Sequence, residues 1–226
     1  MPFKKRNVEN SKIKAIIFDF DGTIADTFKE ALKVANQLSK KYGYSPINYK
    51  KAIKLKDKDS RKIVKKDLKL SLFKLPKYTR EMKEGMLKNY KNIKMYPSMK
   101  NILNKLSKKI EIGIITSNSK ELIDRLLKKY RIKKIKFTYC NSSIFGKHFV
   151  IKRVLKHYNL DKEDVLYVGD EARDVKACKK LGIKIVSVTW GYNSPKILKK
   201  LKSDFLINKP NELLNCAEDY FAHKQG

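Results

Sequence analysis

Apolar and polar positions follow two different periods along this chain. Short apolar runs rich in branched residues, each bounded by polar residues, are typical of strands buried on both faces of a parallel sheet. Stretches with an apolar residue at every third or fourth position follow most of these runs and predict amphipathic helices. The runs that predict strands are 14–18, 110–115, 135–139, 165–168, 184–188 and 204–207. The alternation predicts an α/β fold, a Rossmann-like parallel sheet with helices on both faces.

The segment 28–95 differs, because its pattern is helical throughout and contains no apolar strand. Two prolines interrupt the pattern and divide it into several helices. The first of these helices ends near Gly43 and carries one apolar stripe, formed by Phe28, Ala31, Leu32, Ala35, Leu38 and Tyr42. We therefore expect an α/β core made of residues 1–27 and 96–226, and a helical insertion made of residues 28–95.

Two carboxylates, Asp19 and Asp21, follow the first predicted strand directly. Open α/β sheets bind ligands beyond the carboxyl ends of their strands. Two carboxylates a few Å apart repel each other unless a cation or a proton lies between them, and ligation by oxygen alone favours magnesium. The alternatives are a helix-capping loop or a calcium loop of the EF-hand type. The calcium loop fits less well because its glycine would be the sixth residue, and Gly22 is the fourth.

Two more strand ends carry polar residues. Thr116, Ser117 and Asn118 follow the run 110–115 and precede a helix that begins near Lys120. A hydroxyl beside the N–H groups of a helix start is suited to phosphate, although serine and threonine are also ordinary helix caps.

Three acidic residues follow the run 165–168: Asp170, Glu171 and Asp174. A helix cap explains one of them, since acidic residues are favourable in a first turn. It does not explain three carboxylates beside a strand end that faces Asp19 and Asp21.

These stretches together resemble the four motifs of the haloacid dehalogenase superfamily. Asp19-Phe20-Asp21-Gly22-Thr23 is similar to the first motif and Thr116-Ser117-Asn118 to the second. Ser143-Ile144-Phe145-Gly146-Lys147 resembles the third, and Gly169-Asp170-Glu171-Ala172-Arg173-Asp174 the fourth. Most members are magnesium-dependent phosphohydrolases, and one large group has a helical cap between the first and second motifs. The stretches 167–174 and 188–193 look like the phosphoglycolate-phosphatase-like branch. Members often have Pro-Gly where this chain has Pro97-Ser98, so movement of the cap is expected to differ slightly.

The resemblance implies a role for each carboxylate. Asp19 would be the nucleophile that forms an aspartyl-phosphate, and Asp21 would protonate the leaving group and then deprotonate water. Magnesium would be held by Asp19, the backbone carbonyl of Asp21 and Asp170, with Asp174 or Glu171 in its outer shell. A phosphotransferase or mutase of the same fold would use the same residues, so that alternative stays open.

The resemblance also implies which groups hold the phosphoryl oxygens of a small phosphorylated substrate. Thr116 is the first candidate, with Ser117 and Asn118 beside it. The lysine of the third motif is expected to be Lys147, with Lys152 as the alternative. That lysine would neutralise the nucleophile and the transferred phosphoryl group.

The chain is strongly basic, with 54 Lys+Arg against 23 Asp+Glu and a net charge of +31. Residues 28–95 hold 21 Lys+Arg and 6 Asp+Glu, so charge is about twice as dense there as in the rest of the chain. Such a balance suits a polyanion, and a basic lid would attract a phosphate monoester. The lysines are dispersed through every predicted helix, however. We expect compositional bias and no specific nucleic-acid partner, with a nucleic-acid-binding protein or a polynucleotide end-phosphatase as the alternative.

The remaining residue types predict location more than chemistry. Cys140, Cys178 and Cys216 are odd in number and far apart, which favours a reducing compartment over disulfides or zinc. The basic residues 1–14 precede too few apolar residues for a signal peptide or a membrane span. We expect a cytoplasmic protein without a membrane partner, a monomer or weak dimer. The three histidines show no metal-ligand spacing and are expected at the surface: His148, His157 and His223.

Overall fold

A computed structural model describes residues 14–140 and 146–222. Six of its strands form one fully parallel sheet with the order β5-β4-β1-β6-β7-β8. The strands are β1 Ala15–Phe18, β2 Ala25–Asp26, β3 Lys94–Met95, β4 Glu111–Ile115, β5 Phe137–Tyr139, β6 Val165–Gly169, β7 Lys184–Val188 and β8 Phe205–Ile207. The predicted Rossmann-like α/β fold is confirmed.

Ten α-helices lie in the described residues, four of them between β2 and β3. They are α1 Phe28–Tyr42, α2 Tyr49–Leu55, α3 Ser60–Lys62, α4 Leu75–Lys88, α5 Met99–Leu106, α6 Lys120–Lys129, α7 Lys147–His157, α8 Ala172–Leu181, α9 Pro195–Lys200 and α10 Glu212–Ala222. A π-helical segment, Ile63–Asp67, continues α3. None of these helices combines the length and the apolar run that crossing a bilayer requires.

Strand β1 lies at the centre of the sheet, between β4 and β6, as its apolar sequence predicted. Its four residues are fully buried, and they alternate between two hydrophobic clusters. Ile16 and Phe18 belong to the cluster on one face, while Ala15 and Ile17 belong to the cluster on the other. Because neighbouring side chains of a strand point to opposite faces, both faces of the sheet are covered and β1 is held in a fixed register.

The helical insertion, residues 28–95, has a small hydrophobic cluster of its own around Tyr42 and Tyr78. Its first helix ends as predicted, with Gly43 in the left-handed conformation at φ 79°. The helices α1 and α4 also pack onto the main core, because Val34 and Met86 belong to the cluster of the sheet. The sequence pattern did not reveal the two-residue strands β2 and β3, which pair antiparallel at the base of the insertion.

Several hydrogen bonds fasten the insertion to the loop after β7. The buried Asn193 side chain donates to the carbonyl oxygens of Lys56 and Lys58, each at 2.9 Å, and Lys56 Nζ donates to the Gly191 oxygen at 2.7 Å. Asp59 in addition pairs with Lys176 of α8. The insertion is thereby held over the carboxyl ends of the central strands.

The start of α7 determines where Lys147 lies. The helix begins at Lys147, directly after Gly146. Gly146 adopts φ 83°, a conformation open to glycine, and this turn lets the helix start with Lys147 pointing inwards. Phe149, on the first turn of this helix, is 67% exposed. The third-motif residues 143–145 lie outside the described residues.

The cysteines and histidines add no site in the described part of the chain. All three cysteines are free thiols, in agreement with the absence of CxxC spacing. His157 is exposed, whereas the half-buried His148 contacts Lys180 at 2.9 Å and packs against Phe149. His223 lies outside the described residues.

Candidate active site

The polar ends of three neighbouring strands meet at one edge of the sheet. Asp19 follows β1, Thr116 follows β4 and Asp170 follows β6. The strands are parallel and adjacent, so the three ends point the same way. The fold therefore brings together the groups that the sequence placed in separate motifs, in the crevice where such sheets bind ligands.

Three carboxylates form a buried cluster at this edge. Asp19, Asp170 and Asp174 each place one oxygen within 4.8 Å of the others, and their exposed fractions are 1%, 0% and 0%. Neither oxygen of Asp19 accepts a hydrogen bond from the described residues. Lys147 Nζ lies 3.2 Å from Asp19 Oδ1 and also contacts Asp174. Lys147, the predicted lysine of the third motif, is thus buried against the nucleophile candidate, whereas Lys152 is exposed to solvent.

Ionising all three buried carboxylates of this cluster is electrostatically unfavourable without a further positive charge. Burial raises the pKa of Asp19 to about 7, and Lys147 offsets part of that rise. Burial, together with the neighbouring Asp19, raises the pKa of Asp170 well above its usual range. Burial alone would lower the pKa of Lys147, but Asp174 and Asp19 outweigh it and raise the pKa. Two acids that resist ionisation beside one fixed cation are typical of a site that accepts a further positive charge.

The residues present fit a hard divalent cation such as magnesium. The fit rests on the Asp19 oxygens, which accept no hydrogen bond from the described residues, and on the all-oxygen donor set. Asp170 is oriented by Thr23 Oγ1, which donates to it at 2.8 Å, and by the Tyr192 N–H, which donates at 2.6 Å. A Cβ atom added to Gly22 or Gly191 would lie 2.2 Å from Asp170 Oδ2, so these two glycines leave the room that the carboxylate occupies.

Asp21 has different surroundings, although it is two residues from Asp19. Asn118 Nδ2 donates to both of its oxygens, at 2.7 and 2.8 Å, and Thr116 Oγ1 donates at 3.2 Å. Burial raises the pKa of Asp21, and these hydrogen bonds work in the opposite direction. Asp21 stands apart from the three-carboxylate cluster and faces a cleft between the sheet edge and the insertion.

This cleft, which we call the substrate cleft, has a volume of about 230 Å³. From the core it is lined by Asp21, Ser117 and Asn118, and from the insertion by residues that include Lys83. Thr116, the first candidate for phosphate binding, is fully buried behind Asp21, while Ser117 and Asn118 reach the cleft.

Sequence reasoning missed Arg173, which also lines the substrate cleft and is 9% exposed. Its Nε donates to Glu171 Oε1 at 2.8 Å, and its Nη2 lies 2.6 Å from the same oxygen. Glu171, one candidate for the outer shell of the metal, is therefore engaged by Arg173, while Asp174 lies within the carboxylate cluster. A signal was present in the sequence. Arg173 is the second residue of α8, where a cation opposes the helix dipole unless anions surround it.

Comparison with known proteins gives relatives along nearly the whole chain. A phosphoglycolate phosphatase of Synechococcus elongatus is 29% identical over 206 residues, covering 90% of this chain and 97% of the relative. A proposed pyrophosphatase, PpaX, of Caldanaerobacter subterraneus is 27% identical over 227 residues, covering 92% and 98%. The crystal structure of a predicted phosphatase from Clostridium acetobutylicum shares the fold, with a TM-score of 0.80 at 18% identity and coverage of 92% and 100%.

The family comparison covers the residues that build the site. The model of the haloacid dehalogenase-like hydrolases matches residues 16–188, which include every carboxylate described above. This match spans most of the chain, from the first strand to the end of β7. The chain belongs to the haloacid dehalogenase-like hydrolase family.

Proposed function

We propose that this protein is a magnesium-dependent phosphohydrolase that cleaves a small phosphate monoester through an aspartyl-phosphate on Asp19. The observation that carries the proposal is the contrast between two carboxylates two residues apart. Asp19 is buried beside Lys147 with neither oxygen hydrogen-bonded, whereas Asp21 is held by Asn118 and Thr116 at the edge of the substrate cleft.

Asp19 is suited to nucleophilic attack because its oxygens are not occupied by hydrogen bonds from the described residues. A phosphate monoester is a dianion, so attack by a carboxylate requires cations that cancel the repulsion. Lys147 supplies one such charge at 3.2 Å from Asp19 Oδ1. Asp174 also contacts Lys147 and fixes the ammonium group in place.

Asp21 is suited to proton transfer because burial raises its pKa, which favours the protonated carboxyl group that a general acid needs. It would give that proton to the leaving oxygen and take one from the water that hydrolyses the aspartyl-phosphate. Asn118 and Thr116 hold the carboxyl group in one orientation for both steps.

Asp19, Asp170 and Asp174 would hold the magnesium ion. When bound, it would neutralise the carboxylate cluster and the phosphoryl oxygens. Thr23 and the Tyr192 N–H fix the Asp170 carboxylate that faces the ion.

The helical insertion would act as a cap, because it closes the substrate cleft and is fastened to the core through Asn193. The substrate is a small phosphorylated molecule of the phosphoglycolate type. Two considerations support this class: the small volume of the cleft and the relatives that carry the name phosphoglycolate phosphatase.

The test is release of inorganic phosphate from glycolate, sugar and nucleotide phosphates, with and without magnesium. We expect release that depends on magnesium and ends in excess chelator. Full activity in chelator would refute the metal assignment. Transfer of phosphate to a second substrate without release of free phosphate would favour the phosphotransferase or mutase instead.

A further inference from the structure

Arg173 has no task in the mechanism above, although it is a buried cation at the mouth of the reaction site. It lines the substrate cleft together with Asp21 and Asn118. Arg173 therefore shares the cleft in which Asp21 would meet the leaving group.

The contact with Glu171 leaves part of the guanidinium available. Glu171 Oε1 meets Nε and Nη2, which form one edge of the planar group. An arginine carries five N–H donors in a fixed fork, and its terminal edge can bind a second carboxylate or a phosphate in bidentate fashion. No acceptor for that terminal edge is found among residues 14–140 and 146–222.

The insertion places a second cation on the same cleft. Among its twenty-one lysines and arginines, nineteen are exposed, and Lys83 and Lys56 are half-buried. Lys83 lines the substrate cleft, opposite the core residues Asn118 and Arg173. Arg173 and Lys83 are the cations among the described residues that line this cleft.

We propose that Arg173, assisted by Lys83, binds a second anionic group on the leaving-group side of the substrate. This inference rests on the proposed phosphatase function and deepens it, because it assigns the recognition of an anionic leaving group, a carboxylate or a phosphate, to one side chain of the core. Arg173 is a specificity-determining residue in this scheme. In this scheme Lys147 neutralises the transferred phosphoryl group, and Arg173 binds the leaving group.

A purely structural role for Arg173 makes a different prediction. If Arg173 only neutralises Glu171 and the nearby carboxylates, its replacement should weaken every substrate by the same factor. If it binds the leaving group, the loss should be larger with anionic leaving groups than with neutral ones.

The test compares 2-phosphoglycolate with 2-hydroxyethyl phosphate, which has a neutral hydroxymethyl group in place of the carboxylate. Pyrophosphate forms a third arm, which distinguishes a carboxylate from a second phosphate. The variants are Arg173→Lys, which keeps a charge beside Glu171 but loses the fork, and the double variant Glu171→Gln with Arg173→Gln, which removes both charges. Lys83→Gln is matched by Lys88→Gln, an exposed lysine of the same helix.

We expect the wild-type protein to prefer one of the anionic substrates over 2-hydroxyethyl phosphate by about 10-fold or more in kcat/KM, as for a charge-assisted hydrogen bond. Arg173→Lys should lower that preference at least fivefold, because the loss of kcat/KM with the anionic substrate should exceed the loss with the neutral one by that factor. Lys83→Gln should lower it less, and Lys88→Gln should leave it unchanged. Equal losses for all substrates, or a wild-type protein without preference, would overturn the inference.

Binding to the Asp19→Asn variant separates this inference from the proposed function. Calorimetry with 2-phosphoglycolate and 2-hydroxyethyl phosphate needs no turnover. If the wild-type protein released no phosphate but the variant still bound the anionic compound at least tenfold more tightly, the phosphatase proposal would fail and the anion site would stand. If the two compounds bound equally, the anion site would fail whatever the activity.

Discussion

The α/β core and the helical insertion differ in where their charged side chains lie: several are buried in the core, whereas nearly all of those in the insertion are exposed or half-buried. Among residues 14–140 and 146–222, eight charged side chains are buried in the core, and one, Asp59, is buried in the insertion. The insertion has the denser positive charge, yet nineteen of its twenty-one cations are exposed to solvent. Its two half-buried cations, Lys56 and Lys83, both face the core. Charge density along the sequence therefore does not predict where charged side chains are buried in this molecule.

Among the buried charges of the core, replacement of Asp19 should have the largest effect on activity. Replacement by asparagine keeps the shape of the side chain but removes the proposed nucleophile, so we expect kcat to fall by roughly 10⁴-fold or more. Asp219→Asn, at an exposed position of α10, is the matched control and should retain wild-type activity. Circular dichroism would verify that both variants fold. Activity of Asp19→Asn within tenfold of the wild type would refute the nucleophile assignment.

Lys147 and Lys152 sharpen the comparison within a single helix. Lys147 is 2% exposed and contacts two carboxylates, while Lys152 faces solvent one turn and a half later. Lys147→Ala should lower kcat/KM by about 10²-fold or more, as for other preorganised electrostatic groups. Lys152→Ala should change it less than twofold. Steady-state kinetics on both variants decide the assignment, and the reverse ranking would mean that the third motif is wrongly placed.

The strands of the core were predictable because their apolar sequence pattern agrees with their buried position in the sheet. The run Ala15–Phe18 is apolar on both faces and lies at the sheet centre, and the polar residues after β1, β4 and β6 meet because parallel strands end at one edge. The fold and the convergence of Asp19, Thr116 and Asp170 follow from that rule.

The insertion and the cation pair of the cleft were less predictable. Lysines recur at so many positions that no local pattern marks Lys83, whose position depends on how α4 packs against the core. Arg173 lies inside a recognised motif, but whether its side chain faces solvent or the cleft depends on the capping of α8 and on the Glu171 contact. Two-residue strands such as β2 and β3 have no measurable period and could not be predicted.

Magnesium should stabilise the folded protein through the buried carboxylates of the core, and the size of this effect should depend on pH. Burial raises the pKa of Asp19 to about 7 and raises that of Asp170, so the folded chain in chelator retains protons that the unfolded chain loses above about pH 4. Stability in chelator therefore falls as the pH rises through about 7. Magnesium should offset this loss, and we expect it to raise the Tm more at pH 8 than at pH 5.

Asp170→Asn tests the same point by mutation. With one buried carboxylate removed, the chain in chelator should gain stability at pH 8, with a rise in Tm of about 2–4 °C for each kcal/mol. The further rise on adding magnesium should disappear. Scanning calorimetry at the two pH values provides the measurement, and a variant that still gains stability from magnesium would place the ion elsewhere.

The exposed charges of the insertion should have small effects on catalysis. Lys65 and Lys66 are both exposed, and replacing the pair by glutamine should change kcat/KM by less than about threefold. Salt should act mainly on KM, through screening over about 10 Å at 0.1 M. Gel shifts with short DNA and RNA, run over the same salt series, should show weak binding. Submicromolar binding of DNA or RNA that blocks hydrolysis would show that the exposed charges of the insertion are functional, and it would favour a polynucleotide end-phosphatase.

The smallest expected effect lies at Ser98, where the chain leaves the insertion and enters the core. Ser98 adopts φ 65°, a left-handed conformation that costs a non-glycine residue about 1–2 kcal/mol, and its side chain makes no capping hydrogen bond to α5. Glycine relieves that strain. It also loses more conformational freedom on folding, and this loss destabilises the folded protein by roughly 0.5–1 kcal/mol. Ser98→Gly should therefore raise the free energy of unfolding by about 0.5–1 kcal/mol.

Ser107, at the other end of the same helix, is the matched control. It has an ordinary φ of −66°, and its hydroxyl donates to the Asn104 oxygen at 3.2 Å. Glycine relieves no strain there, so Ser107→Gly should lower the stability by about 0.5–1 kcal/mol. Urea denaturation at one magnesium concentration would measure both variants. If Ser98→Gly destabilised the protein as Ser107→Gly does, the strain at the boundary between insertion and core would be compensated by contacts of the serine side chain, and this boundary would be as relaxed as the rest of α5.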